Sequence, residues 1–181
     1  MRLLRTYSRL PPTSCIFTSY NGCLTVTIGQ TFLPEFDREM ANTRRMLECL
    51  PEDRFEWAPH SKSSTLGELA NHLAFMPAFA AMIVHGQERR PTEAKSKAEL
   101  LALLDANVAA GRTALAEVSD DHMLATVPVT AALSMPRVAI LRMRVLSHMI
   151  HHRGQLSVYL RLLDSAVPGM YGPSADEKTP A

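Results

Sequence analysis

SHMIHHRGQLSVYLRLL, residues 147–163, closes a run of helical spacing that begins near Arg137. Leu141, Val145, His148, His152, Leu156, Tyr159 and Leu163 recur at steps of three and four, so they share one face of a helix spanning about 137–163. His148 and His152 stand one turn apart on that face, separated by about 40° around the axis. Both rings therefore leave an otherwise apolar stripe in the same direction.

Upstream, residues 119–136 form a long connection whose MLATVPVTAALSM carries the only β-like stretch. Before it, Ser96 and Glu99 have capping-box spacing, and Leu100, Leu104, Asn107, Gly111, Leu115 and Val118 mark the inner stripe of another helix. A further helix is expected from an N-cap at Ser63 or Ser64 to a stop at Gly86, with Thr65, Leu69, His72, Met76, Phe79 and Ile83 inward. Pro77 should kink it one turn past His72. The first helix reads as Phe32 to Leu50, with Phe32, Phe36, Met40, Thr43, Leu47 and Leu50 inward, Pro34 in its first turn and Pro51 after its end. Four amphipathic helices predict an all-α, antiparallel four-helix bundle.

The bulk numbers narrow the function. The 181 residues, 46% of them apolar, suit one domain with a sizeable core. Nineteen basic residues against eighteen acidic ones leave a net charge of +1, which makes no case for nucleic acid or an anionic membrane surface. No apolar run approaches the roughly 20 residues of a membrane span. Cys15, Cys23 and Cys49 are odd in number and form no Cys-x-x-Cys pair, so the expected compartment is a reducing cytoplasm. Residues 1–29 hold three arginines, no acid and no helical stripe, and read as a disordered or artefactual extension. The bundle should occupy 30–174 and a flexible tail 175–181.

An imidazole buried in a bundle core must satisfy both nitrogens or lose about 1–3 kcal/mol. His72, His148 and His152 all fall on inward stripes. A shared divalent ion would satisfy them together, because neutral imidazole is a good ligand and an i, i+4 pair plus a third ligand from a facing helix makes a tripod. The spacing alone equally allows core-edge histidines satisfied by water or carbonyls. The other histidines read differently. His151 is off the stripe, His60 and His122 lie in polar connections, and His85 ends a helix. Cys49 reads as a buried small apolar residue.

Two segments, LPEDRFEWAPHSKSSTLGELANHLAFM and SHMIHHRGQLSVYLRLLDSAVPGMYGPS, resemble the signatures of the DinB-like, YfiT-related metal-binding superfamily. The similarity runs from about Gln30 to Ser174. It implies an often dimeric four-helix bundle with one metal ion on His72, His148 and His152, a ligand set whose chemistry favours zinc or nickel. It also implies thiol-dependent transferase or isomerase activity on a small molecule, with bacillithiol, mycothiol or glutathione as co-substrate. The alternative is a non-catalytic metal-binding or dimerising bundle.

Four further side chains are candidates around such a site. Gln155 could bond a ligand ring or a bound water. Glu68 could orient His72, supply a fourth ligand or remain a solvated first-turn carboxylate. Asn107 could face the site or be a core amide. Arg153 could attract a substrate carboxylate or form a surface ion pair.

Overall fold

The structure, a computed structural model, describes residues 26–177; of the extension expected over residues 1–29, residues 1–25 lie outside them, and Ile28 and Gly29 already belong to the first helix. The first helix, α1 (Ile28–Glu48), starts a turn earlier than its apolar stripe suggests. Thr27 and Gln30 form a reciprocal capping box that carries the helix upstream, so Pro34 sits in its interior rather than its first turn. The second helix, α2 (Leu66–Phe75), is capped by Thr65 and not by Ser63 or Ser64. Thr65 Oγ1 accepts from Glu68 N, Glu68 Oε2 accepts from Thr65 N, and the Ser64 carbonyl accepts from the Tyr159 hydroxyl instead.

Pro77 breaks the helix as expected. The chain resumes as α3 (Ala78–His85), bent 44° from α2, and ends at Gly86 with φ of 67°, a conformation that glycine adopts without strain. Ser96 then caps α4 (Lys97–Glu117), although the Glu99 carboxylate reaches back to Lys95 N rather than to the cap itself. The long connection folds into α5 (Asp120–Leu124) and an antiparallel hairpin, β1 (Thr126–Thr130) and β2 (Leu133–Pro136). The last helix runs as α6 (Arg137–Leu141), a wide π turn over Arg142–Ser147, and α7 (His148–Leu162).

Four long rods make the all-α bundle, and the pairing of their side chains fixes their directions. Asp37 meets Arg112 and Arg44 meets Asp105, so α1 and α4 are antiparallel. Ser64 with Tyr159, and His72 with His148 and His152, set α2 antiparallel to α7. The remaining neighbours run parallel. Arg142 lies over Phe32 and Arg153 reaches Glu39, while Asn107 reaches Ala74 and Gly111 faces Pro77. The topology is therefore up, down, down, up.

Two consecutive rods in one direction require the chain to return along the bundle between them, which residues 86–96 do. Asn71 clips this return segment, donating to the Ala94 carbonyl at 3.0 Å and accepting from Ala94 N at 2.7 Å. Phe36, Leu47, Leu73, Leu104 and Leu156 fill the centre between the rods. Gly111 is needed where the helix break meets α4, since a Cβ there would stand 2.7 Å from the Pro77 carbonyl oxygen. Among the described residues no single helix is long and apolar enough to cross a membrane.

The core also holds one charged cluster. Arg153 and Glu39 are 3% and 1% exposed and form an ion pair through Nη2 and Oε2. The other guanidinium nitrogen donates to the Glu39 carbonyl at 2.9 Å and to Thr43 Oγ1 at 3.3 Å. The Tyr171 hydroxyl donates to the same carboxylate at 2.7 Å. Burial alone would push the Glu39 carboxyl up, but the hydrogen bonds from Arg153 and Tyr171 outweigh it and hold it below the usual range.

The chain beyond α7 is anchored as well. Asp176 pairs with Arg161, and Glu177 accepts from Arg45 and from Gly169 N. Of the tail expected over residues 175–181, Asp176 and Glu177 are tied back by their carboxylates, and residues 178–181 lie outside those described.

Removing one member of a buried pair leaves an uncompensated charge. Arg153→Ala should lower the unfolding free energy by about 3–5 kcal/mol in urea denaturation. Glu39→Met, Arg153→Met and Tyr171→Phe combined should restore most of that loss. Equal stability of Arg153→Ala and wild type would show that the cluster does not hold the fold.

Candidate metal centre

His72 projects from the second turn of α2, and His148 and His152 from the first turn and a half of α7. Because α2 and α7 are antiparallel neighbours, the three rings face one another. Ring centroids lie 5.2 Å apart for His72 and His148, 4.6 Å for His72 and His152, and 4.5 Å for His148 and His152. Each ring can offer one nitrogen, and these three atoms all lie within 4.8 Å of one another. All three residues are only partly buried, so the cluster sits at the edge of the core with one side open.

The hydrogen bonds define what the cluster lacks. Nδ1 of His152 lies 2.6 Å from Gln155 Oε1, an arrangement in which Nδ1 carries the proton and Nε2 keeps a lone pair. That Nε2 is 2.7 Å from Nε2 of His148. Two ring nitrogens this close need a proton or a cation between them. Protons are poor candidates at neutral pH. Burial, then the neighbouring His152 and His148, lower His72 to about 4, and burial with His152 lowers His148. Neutral imidazoles with converging lone pairs are the donor set of a divalent first-row ion, so the residues present fit such an ion.

The side chains expected around the site divide clearly. Gln155 is at the ligand ring, as one of its two readings proposed. Glu68 is exposed and spends its carboxylate on the Thr65 N–H, so it neither orients His72 nor adds a ligand. Asn107 is buried and donates to the Ala74 carbonyl at 3.0 Å, beside the Pro77 break, which makes it a brace for the kink rather than a lining residue. Arg153 forms no surface pair and meets no open site, because its guanidinium is enclosed by Glu39, Thr43 and Tyr171.

Among the other histidines, His60, His85 and His151 are exposed. His122 is half-buried rather than solvated, its Nε2 2.7 Å from the Val84 carbonyl at the end of α3. Cys49 is only half-buried, and burial pushes its thiol up, away from the thiolate a nucleophile needs.

Sequence reading missed Arg144. It is exposed, makes no ion pair among the described residues, and lines the open recess next to His148. Spacing at 3.6 residues per turn placed it off the inner face. It nevertheless stands one turn before His148, and Met143, Arg144, Ser147 and His148 together line one recess.

Comparison with known proteins gives the fold's relatives and the family. The uncharacterised protein YrdA of Bacillus subtilis strain 168 is 28% identical over 152 residues, spanning 81% of this chain and 89% of its own. A crystal structure of a DinB-like protein from Bacillus cereus ATCC 10987 superposes with a TM-score of 0.66 at 25% identity, covering 81% of this chain and 99% of that one. That of the DinB-like protein YjoA from Bacillus subtilis gives 0.63 at 21% identity, covering 77% and 97%, and so shares the fold. A model of the DinB family matches residues 23–180, nearly the whole length, and the chain therefore belongs to the DinB family.

Proposed function

We propose that the protein is a metal-dependent transferase that joins a low-molecular-weight thiol to a small electrophile at the three-histidine centre. The observation that carries this reading is the convergence of His72, His148 and His152 beside an open recess. The ion would be zinc or nickel, with all three protein ligands neutral and at least one position left for a co-substrate. Such an ion supplies Lewis acidity, favouring the deprotonated form of a bound thiol at neutral pH. The protein's own part is preparation. His72 and His148 are held neutral by burial, and Gln155 fixes the His152 tautomer so that Nε2 points inward.

The unit that works is, on this reading, a cytoplasmic homodimer. Ile150, Val158 and Leu162 form an exposed apolar line along α7 around Gly154, where an added Cβ would meet nothing within 4 Å. Ile150 and Val158 are equidistant in sequence from Gly154, so two copies of α7 crossing antiparallel at that residue would bury each Ile150 on the partner's Val158. Cys49 is unpaired among the described residues.

Protein purified without a nickel column should carry about one equivalent of zinc or nickel per chain by elemental analysis, and His148→Ala should lose most of it. The same negligible content in both proteins ends the metal reading. Metal-loaded protein should gain about 5 °C in Tm from bacillithiol, mycothiol or glutathione at a hundredfold excess over Kd. No shift with any of them removes the thiol. Val158→Glu should turn the dimer into a monomer in sedimentation equilibrium, and an unchanged mass would place any dimer contact elsewhere.

A further inference from the structure

Beside the histidines, the surface between α3 and the last helix holds two adjoining recesses. One recess, of about 500 Å³, is lined by Phe79, Met143, Arg144, Ser147 and His148. A second, of about 470 Å³, continues towards the hairpin and shares Phe79 and Arg144 with the first. Its walls are mostly apolar, with Met82 and Ile83 from α3, Val127 and Val129 from β1, and Ile140 from α6. Volumes of this size and lining are those of small-molecule sites.

The charges in this trough are unequally placed. Arg144 stands where the two recesses meet and has no carboxylate partner among the described residues. Arg137 also lines the outer recess, but its guanidinium donates to the His122 carbonyl. Glu88 lies in the outer recess, so a second negative charge is disfavoured at that end. A guanidinium offers a planar fork suited to a carboxylate.

The geometry points to an apolar monocarboxylate as the second substrate, its headgroup on Arg144 and its tail in the recess walled by Met82, Ile83, Val127 and Val129. Where such an acid carries a 2,3 double bond, a thiol can add without a leaving group, its sulfur bonding to the β carbon as the C=C π bond opens and its proton ending on the α carbon. Arg144 is thus a specificity residue. The assignment of a reacting position rests on that centre being where chemistry occurs, whereas recognition of the carboxylate does not.

Octanoate is a suitable probe, with octanol as its uncharged match, each titrated calorimetrically into metal-loaded and chelator-stripped full-length protein. Octanoate should bind both forms at least about tenfold more tightly than octanol does. Arg144→Met should weaken octanoate by about tenfold or more, Arg144→Lys should recover part of the loss, and octanol should be indifferent to both changes. Ile83→Trp, which fills the outer recess, should weaken both ligands. Circular dichroism and metal content should match wild type in the Arg144 variants, because the side chain is exposed and is not a ligand.

Equal affinities for octanoate and octanol, or unchanged octanoate binding in Arg144→Met, would overturn the proposal. Octanoate binding lost on stripping the metal would likewise overturn it, since the ion and not Arg144 would then be the anion site. Metal bound without octanoate would sink the substrate assignment alone. Arg144-dependent octanoate binding to a protein that holds no metal would leave recognition standing and remove the proposed reaction.

Discussion

The rotation of α7 about its own axis is the constraint on which the site depends. Successive residues of an α-helix point about 100° apart, so Arg153 and His152 leave α7 towards different neighbours. Arg153 enters the core against α1, where Glu39, Thr43 and Tyr171 enclose it. His152 turns to α2 and His72. A buried guanidinium tolerates little displacement, because any carboxylate or hydroxyl it loses cannot be replaced by water. The ion pair therefore holds the helix at the angle that brings His148 and His152 to His72. Charge buried on one side of the helix positions neutral donors on the other.

The second determinant is the break at Pro77. An unbroken second helix would continue along the bundle. With the 44° bend, α3 leaves α2's line just after His72 and forms one wall of the trough beside the π turn. The break disturbs the backbone hydrogen bonding of the helix, and Asn107 donates to the neighbouring Ala74 carbonyl at 3.0 Å. Gly111 gives the bent segment room against α4. Interruptions in two facing helices, a proline break in one and a wide turn in the other, thus flank the recess next to His148.

The chemistry follows from what the centre leaves out. With three uncharged imidazoles and no carboxylate ligand, a divalent ion would keep its full charge and favour an anionic fourth ligand such as a thiolate. Glu68, the one acid close in sequence to His72, is turned away into a helix cap. Arg144 adds positive charge beside the open recess. Both features suit negatively charged reactants, although the chain as a whole is nearly neutral.

Local sequence carried much of this. Apolar periodicity marked the rods, Gly86 and Pro77 marked an end and a kink, and the histidines appeared as polar interruptions in apolar stripes. Each of these is decided within a turn or two of backbone, so it can be read without knowing the neighbours. The directions of the rods, the capture of Arg153 by a glutamate 114 residues away and the recess that Arg144 lines together with Phe79 of α3 arise differently. They depend on which surfaces meet once distant segments pack, and burial turned Arg153 and Asn107, as a helix cap turned Glu68, to roles that spacing left open. The sequence by itself determined the helices and the identity of the three inward histidines; only tertiary packing decided that those rings converge and what stands beside them, because convergence is a relation between helices and not a property of any one of them.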